Sequence, residues 1–208
     1  MKIANLYSHL NGYEYLLVHR KELWQEITSA ITSIDANLYI KSSKEKTKMG
    51  KLLYDQKIIN KQFESILMPQ GWVSFETPYY VCGDIDTARI IAGIRDKEEQ
   101  KRIIIERGFQ PLHTKNQVDF VKDRVAVEIQ FGKYFSVAYD LHVKHTFFFL
   151  RNDIDVGIEV IPTRAMCLMM DSGVAWYENE VANVIREGRS NPTVPIVMIG
   201  IEPETFSI

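Results

Sequence analysis

The pattern of hydrophobic and polar residues changes several times along the chain between a helical period and a period of two. Apolar side chains spaced three or four positions apart predict helices with one buried face, which are expected over residues 20–34, 51–70, 86–107, 134–149 and 178–187. Short alternating or continuous apolar runs predict strands, which are expected over residues 78–81, 117–131, 154–161 and 195–201. Because helices alternate with strands after residue 117, the pattern indicates an α/β fold in which a central mixed β-sheet is flanked by helices.

Length and composition are those of an ordinary globular protein. The chain has 208 residues, of which 46% are hydrophobic and 25% charged, and no Gly/Ser-rich stretch separates parts of different composition. We therefore expect one domain over residues 1–208, which is long enough to bury a full core. The net charge of −2 does not suggest a nucleic-acid partner, because proteins that bind nucleic acids are often visibly basic.

The N-terminal segment and the apolar stretches indicate where in the cell the protein is expected. The N-terminal segment has polar residues every few positions and lacks the continuous apolar region of a signal peptide. The longest apolar stretches, residues 147–150 and 196–201, are far shorter than the roughly 20 residues of a membrane span. Cys82 and Cys167 lie far apart, without the spacing of a zinc site or a disulfide framework. We expect a cytoplasmic protein with no membrane role.

The clearest strand signal contains candidate chemistry. Every second residue from Val125 to Phe131 is apolar, so Glu128 and Gln130 share the opposite face of the strand. The polar turn Lys122–Arg124 can form a hairpin that returns Asp119 beside Glu128. Two carboxylates of this kind suit Mg²⁺, which also accepts phosphate oxygens of a substrate. The pattern is consistent with metal-assisted phosphodiester hydrolysis, although an acidic residue on the solvated face of an amphipathic strand is the ordinary alternative.

The motif from Asp119 to Gln130 has the form D-x8-E-x-Q. It resembles the PD-(D/E)XK nuclease signature with Gln in the usual place of Lys, and specifically the type II restriction endonucleases of the BglII type. The resemblance follows the chain in order over nearly its whole length, through YSHLNGYEY, SKEKTK, the segment of residues 116–145, IDVGIEVIP and NVIREGR. The family has a restriction-endonuclease-like core, so the resemblance agrees with the α/β fold that the hydrophobic pattern indicates.

The resemblance implies a role for each residue of the motif. Asp119, Glu128 and the backbone carbonyl of Ile129 would hold Mg²⁺, and Asp119, Glu128 and Gln130 would be the catalytic residues. Gln130 has no positive charge and cannot act as a base, so it could only orient the attacking water. The resemblance implies a homodimeric enzyme of a restriction-modification system that cuts double-stranded DNA at the palindrome purine-GATC-pyrimidine (RGATCY) and leaves 5′ GATC overhangs. A site restricted to AGATCT is the alternative.

Two groups of residues are candidates for DNA contact. In the family pattern, Lys133 and Ser172 would reach base edges in the major groove, where lysine suits guanine and serine can donate or accept. The ordinary alternative is a solvated lysine at a strand end and a helix N-cap serine. The basic segment of residues 41–51 could contact phosphates or could be solvated surface, and its candidate DNA-binding residues are Lys44, Lys46 and Lys48.

Further alternatives concern the helix of residues 134–149 and the class of protein. His142 and His145 are spaced like a metal-binding pair but lack a third ligand, so structural or interface histidines are favoured. The surplus of apolar residues on this helix could form a dimer interface, and the residues concerned are Val137, Leu141, Phe147 and Phe148. An inactive DNA-binding relative, and a repair or recombination nuclease without a fixed site, are the rival functions.

Overall fold

A computed structural model of the chain describes residues 1–207. Its strands are β1 (Lys2–His9), β2 (Ile40–Ser42), β3 (Leu52–Tyr54), β4 (Val73–Val81), β5 (Leu112–Lys122), β6 (Val125–Ile129), β7 (Val156–Pro162) and β8 (Ile196–Glu202). Its α-helices are α1 (Gly12–His19), α2 (Lys21–Ser33), α3 (Gln56–Leu67), α4 (Ile85–Ala92), α5 (Lys97–Glu106), α6 (Phe135–Tyr139), α7 (Thr146–Leu150), α8 (Arg164–Leu168) and α9 (Tyr177–Glu187). A π-helical segment, Asp140–His145, joins α6 to α7 without a break.

The central sheet is mixed, with the strand order β1-β8-β7-β6-β5-β4. The inner strands β6, β7 and β8 are parallel, whereas β1 pairs with β8 and β5 pairs with β6 in the antiparallel sense. A separate antiparallel pair consists of β2 and β3. The fold is therefore the mixed α/β architecture that the alternation of helices and strands predicts.

Residue contacts divide the chain into two compact units, and the larger consists of Met1–Val73 and the chain from Asp119 onward. Alternate residues of β8 enter different hydrophobic clusters: Val197 and Ile199 pack with α1, α2 and α3, whereas Ile196 and Met198 pack with residues of α9 and of the helical segment that begins at α6. Because successive side chains of a strand point to opposite faces, both faces of the sheet are covered by helices. Each fully buried aliphatic or aromatic side chain contributes about 1.5–3 kcal/mol to stability.

The smaller unit, Ser74–Val118, contains most of β4, both α4 and α5, and the first part of β5. Its helices begin where aspartates cap them: the Asp84 carboxylate accepts from Thr87 N–H at 2.9 Å, and Asp96 accepts from Glu98 N–H at 2.7 Å. Gln100 joins helix to strand, because its Oε1 accepts from Tyr80 N–H at 2.9 Å. The prediction of a single domain over residues 1–208 stays a prediction.

Most of the predicted elements are confirmed, with changes at their ends. The helix predicted over residues 20–34 is α2, and the helix predicted over residues 86–107 is divided near Gly93 into α4 and α5. The helix predicted to start at residue 51 begins only at Gln56, because β3 precedes it and Asp55 caps it by accepting from Lys57 N–H at 3.1 Å. The strand over residues 78–81 is part of the longer β4.

The sequence pattern did not predict β1, α1, β2 or α8. The edge strand β1 buries only His9 fully, so it lacks the alternation of a half-buried strand, and α1 buries only Gly12 and Leu16. Within residues 1–207, none of the helices has both the length and the apolar character that crossing a membrane requires.

Candidate active site

The β5–β6 hairpin brings the two predicted carboxylates together. Its turn residues Asp123 and Arg124 both have positive φ, 44° and 69°, as a tight two-residue hairpin turn requires. Phe120 pairs with Val127 across the hairpin, so the next pair along is Asp119 with Glu128.

Asp119 is tied to the opposite strand by its side chain. The side chain is exposed, and its Oδ2 accepts a hydrogen bond of 3.1 Å from Ile129 N–H. This bond fixes the exposed carboxylate beside the end of β6. Asp119, Glu128 and the Ile129 backbone therefore lie at the same end of the hairpin.

Glu128 lies on a strand face that is buried. Glu128 is only 2% exposed and Gln130 only 5%, although alternation alone made a solvated face the ordinary expectation. That alternative is wrong, because residues of the π-helical segment contact both side chains on this face of β6. Burying a carboxylate without a partner is very unfavourable, so Glu128 requires one.

The partner of Glu128 is Lys144. Lys144 Nζ lies 2.6 Å from Glu128 Oε1 and 2.6 Å from Asp140 Oδ1. The Lys144 side chain is 17% exposed, and each of the two carboxylate side chains is 3% exposed. Asp140 also accepts a hydrogen bond from the amide nitrogen of Gln130. One ammonium group thus joins two buried carboxylates, and one of these carboxylates holds the Gln130 amide in place.

The charges of these groups influence one another strongly. Burial, followed by the neighbouring carboxylates Asp119 and Asp140, holds the pKa of Glu128 well above its usual range against the opposing effect of Lys144. Burial likewise raises the pKa of Asp140. Burial acts to lower the pKa of Lys144, but the charges of Glu128 and Asp140 outweigh it and the pKa is raised. Lys144 is therefore cationic, in a region where carboxylates outnumber the ammonium.

A second buried pair lies next to Glu128. Glu159 is the register partner of Glu128 on β7, and its Oε1 lies 2.9 Å from His145 Nε2. Burial lowers the pKa of His145 to about 3, so the imidazole is neutral near pH 7, and burial raises the pKa of Glu159 well above its usual range. Gly157 makes room for the imidazole, because a Cβ there would lie 2.8 Å from His145 Nδ1. We name as the buried charge cluster the residues Glu128, Asp140, Lys144, His145 and Glu159.

A pocket of about 350 Å³ opens beside the cluster. It is lined by the carboxylates of Asp119 and Glu128, by Gln130 and Lys144, and by Phe135, which is 60% exposed. The pocket therefore gives a polar group of a substrate access to carboxylates, an amide and an ammonium at once.

The donors at the end of the hairpin fit a divalent metal ion. Among residues 1–207, no group of three or more His, Cys, Asp and Glu side chains is arranged to hold a metal by itself. Mg²⁺ does not need such a cage, because it uses one or two carboxylates, keeps several waters and binds substrate oxygens. Asp119, Glu128 and the Ile129 carbonyl supply oxygen atoms. Burial, and after it the charges of Asp119 and Asp140, raise the pKa of Glu128, and an added cation would be stabilised by these neighbouring carboxylates.

Lys133 and Ser172 lie in neighbouring segments. Lys133 forms an isolated antiparallel bridge with Val174, and Tyr134 N–H donates to the Gly173 carbonyl at 2.8 Å. Both Lys133 and Ser172 are exposed. Ser172 is not a helix N-cap, because the following helix α9 has Trp176 in that position.

The basic segment after β2 is divided between exposed and engaged lysines. Lys44 and Lys46 are exposed. Lys48 is partly buried, and its ammonium donates to the backbone carbonyl of Met170. Lys41 Nζ lies 2.6 Å from Asp171 Oδ2. The segment is therefore only in part a solvated basic surface.

The histidines of the π-helical segment face different partners. His142 Nε2 lies 3.0 Å from Glu187 Oε2, whereas His145 contacts Glu159. The two rings therefore do not share a site, and the expectation of structural or interface histidines stays a prediction. The apolar residues proposed for a dimer interface are mostly used inside the chain, because Val137, Leu141 and Phe148 are at most 2% exposed.

Sequence reasoning missed Asp140, Lys144 and Glu159. The usable signal was Glu159, a lone carboxylate within the apolar run of β7. Asp140 and Lys144 are spaced i and i+4, which on its own indicates only an ordinary helix-surface pair.

Known proteins with similar sequences or structures support the same architecture and indicate a function. The family described as "Restriction endonuclease BglII/BglIII" matches residues 4–201. No curated protein sequence matches the chain. The crystal structure of restriction endonuclease BglII complexed with a DNA 16-mer is similar with a TM-score of 0.70 at 19% identity, over 100% of this chain and 81% of that one.

The crystal structure of free BglII is similar with a TM-score of 0.62 at 17% identity, over 100% of this chain and 82% of that one. At such identities the two structures support the fold alone, whereas the family match covers nearly the whole chain. The family and the enzyme class that the D-x8-E-x-Q motif suggested are confirmed. The chain belongs to the BglII/BglIII family of type II restriction endonucleases, which are site-specific deoxyribonucleases.

Proposed function

We propose that the chain is a Mg²⁺-dependent endonuclease that hydrolyses one phosphodiester in each strand of double-stranded DNA at RGATCY, leaving 5′ GATC overhangs. The observation that carries this proposal is the convergence of Asp119, Glu128 and the Ile129 backbone beside one pocket, in a chain of this family. The similar structure of BglII was determined with DNA, which supports duplex DNA as the partner.

Asp119, Glu128 and the Ile129 carbonyl are the residues that would hold the metal. When bound there, Mg²⁺ would polarise the scissile phosphate and lower the pKa of a bound water. The buried carboxylate of Glu128 is held in position by Lys144, at 2.6 Å, before any cation enters. Such fixed geometry is useful in catalysis because no reorganisation is then needed as charge develops.

Gln130 and Asp140 act together in this proposal. The Gln130 amide nitrogen donates to Asp140. In this proposal the amide oxygen accepts a hydrogen bond from the attacking water. An amide oxygen accepts a hydrogen bond but does not take up a proton near neutral pH, so Gln130 orients the water rather than deprotonating it.

Lys133 and Ser172 are the residues we propose for reading bases, and Lys44, Lys46 and Lys48 those for the DNA backbone. Lysine suits guanine O6 and N7, and the neighbouring positions of the Lys133 and Ser172 segments support a joint role. Within the family, the segment of residues 116–145 and the pair Lys133 and Ser172 resemble the enzyme BstYI. This resemblance is the reason that we propose RGATCY rather than AGATCT as the recognition site.

A homodimer follows from the proposed palindrome. A protein with twofold symmetry matches the twofold symmetry of such a site and places one active centre on each strand. The exposed aromatic residues at the start of the helical segment, Tyr134, Phe135 and Tyr139, offer apolar surface of the kind that subunit contacts use.

Plasmid cleavage tests the chemistry. We expect the protein to linearise a plasmid with one GATC-core site in Mg²⁺ and not in EDTA, and we expect Asp119→Ala to abolish cleavage. Asp86→Ala is the matched control, because Asp86 is an exposed helix carboxylate that pairs with Arg89 across one turn. Equal cleavage by Asp119→Ala and the wild-type protein would refute the assignment.

Digestion of separate duplexes tests the site. Duplexes with GGATCC, AGATCT and AGATCC should all be cut, and end mapping should give four-base 5′ overhangs. Cleavage of AGATCT alone would support the narrower specificity instead, and cleavage without any fixed hexanucleotide would indicate a repair or recombination nuclease.

A further inference from the structure

The loop that carries Ser172 is held by the segment between β2 and β3. Glu45 accepts hydrogen bonds from Ser172 N–H, at 3.0 and 3.1 Å to its two oxygens. On either side of this contact, Lys41 binds the Asp171 carboxylate and Lys48 donates to the Met170 carbonyl. We name as the Ser172 clamp the residues Lys41, Glu45 and Lys48.

The clamp fixes the side chain of Ser172 as well as its backbone. Ser172 Oγ lies 2.7 Å from Glu45 Oε2, and a carboxylate can only accept, so the hydroxyl must donate its proton to Glu45. The hydrogen bond from the Ser172 side chain, which has the larger effect, and those from its backbone N–H lower the pKa of Glu45 and keep it ionised. With its proton engaged, Ser172 Oγ presents only lone pairs to any further partner.

We infer that Glu45 is a specificity-determining positioning residue, which makes Ser172 a hydrogen-bond acceptor toward DNA. The inference rests on the proposed function, in which Lys133 and Ser172 read bases, and it places both residues at the outer base pair of each half-site. A free serine hydroxyl could donate or accept and would treat the two outer pairs alike. A serine held by Glu45 would distinguish them.

The direction of the preference follows from the chemistry of the bases. Lys133 donates to purine atoms, and suits guanine, which offers O6 and N7. Ser172 then meets the paired pyrimidine, where an acceptor suits the N4 amino group of cytosine and opposes the O4 acceptor of thymine. Both residues therefore favour an outer G·C pair. Among the sites that are cut, the Ser172 contacts should favour GGATCC over AGATCT by about a hundredfold in kcat/KM, about tenfold for one mismatched hydrogen bond in each of the two half-sites.

The test is the ratio of kcat/KM for GGATCC and AGATCT duplexes in wild type, Glu45→Gln and Ser172→Ala, and in the double variant. The amide of the substituted side chain in Glu45→Gln can donate to Ser172 Oγ, which releases the hydroxyl, so this variant should lower the ratio to the preference that Lys133 alone gives. In the Ser172→Ala background, Glu45→Gln should leave the ratio unchanged. Glu64→Gln, on the exposed face of α3, is the matched control.

Each outcome decides the inference. A merely structural clamp would lower cleavage of both duplexes equally, and an unchanged ratio in Glu45→Gln would overturn the role of Glu45 while the proposed function stands. A ratio that still responds to Glu45→Gln in the Ser172→Ala background would mean that Glu45 contacts the base itself, which also overturns it. If the wild-type protein cuts no GATC-core duplex, the proposed function fails and the inference fails with it. Thermal unfolding of each variant shows that it is folded.

Discussion

The buried charge cluster and the Ser172 clamp use the same kinds of group in different surroundings. In the cluster, Lys144 contacts two carboxylates that are each 3% exposed in their side chains. In the clamp, Lys41 and Asp171 are about one-third exposed, and Glu45 binds a serine at the surface. Water solvates the charged groups of the clamp, whereas the buried charges of the cluster must be neutralised by one another.

The difference predicts two kinds of sensitivity. A buried charge that loses its partner becomes an uncompensated charge in a region of low dielectric constant, so the whole fold is affected. An exposed ion pair contributes about 0.2–1 kcal/mol, because water replaces the lost partner. Substitutions in the cluster should therefore change stability, and substitutions in the clamp should change DNA selection and binding with little effect on stability.

Removal of Lys144 should have the largest effect. Lys144→Met should lower the free energy of unfolding by about 3 kcal/mol, because Glu128 and Asp140 lose the ammonium that both contact. Cleavage should fall by at least about a hundredfold, since the fixed position of Glu128 is lost as well. Urea unfolding and single-turnover cleavage measure the two effects.

The double variant Lys144→Met/Glu128→Gln separates lost charge balance from lost packing. It should regain part of the stability, because the neutral amide no longer needs a cation, but should regain no activity. Lys115→Met is the surface control, since Lys115 and Glu76 form an ion pair that is about half exposed. If Lys144→Met and Lys115→Met destabilise the protein equally, the contrast between buried and exposed charge is wrong.

The His145–Glu159 pair should give a pH dependence of stability with two opposite components. The unfolded chain binds a proton on His145 below pH 6.5, whereas the folded chain resists it until about pH 3. The contribution of His145 is thus complete above pH 6.5 and is lost as the pH falls toward 3. The pKa of Glu159 is raised on folding, so its contribution is complete below about pH 4.5 and is lost as the pH rises.

Denaturant unfolding at a series of pH values measures these slopes. His145→Gln should flatten the rise of stability between pH 4 and 6.5, and Glu159→Gln should lessen the decline on the alkaline side. The slopes are compared, rather than the absolute stabilities, because either substitution also disturbs packing. Unchanged slopes in both variants would show that burial does not shift the two pKa values in these directions.

The hairpin could be predicted from sequence because its determinants are local. Strict alternation from Val125 to Phe131 and the polar turn at Asp123 and Arg124 define both strands and bring Asp119 to Glu128. The burial of Glu128 could not be predicted in this way, since it depends on the helical segment that covers β6 from later in the chain. Alternation predicts which residues of a strand share a face, but tertiary structure determines what packs on that face.

The remaining contacts are non-local or depend on unusual backbone. Lys144 contacts both Glu128 and Asp140 from a π-helical segment, which no apolar periodicity distinguishes from an α-helix. Lys48 and Met170 are 122 residues apart, so the lysine run looked uniform in sequence although its members have different environments. Charge patterning identified the segment, and only the fold separates its exposed lysines from Lys41 and Lys48, which are bound.

The smallest predicted effect distinguishes lysines within the segment of the clamp. Lys44 and Lys46 are exposed, whereas the Lys48 ammonium donates to Met170. If the exposed lysines contact DNA phosphates, Lys44→Ala or Lys46→Ala should each reduce the salt slope of DNA binding in EDTA by about one unit for each subunit of the dimer, and Lys48→Ala by less. Lys21→Ala, in an exposed residue next to Arg20 at the turn end of the hairpin, should leave the slope unchanged. Equal slopes for Lys44→Ala, Lys46→Ala and Lys21→Ala would mean that the segment serves only to position Ser172.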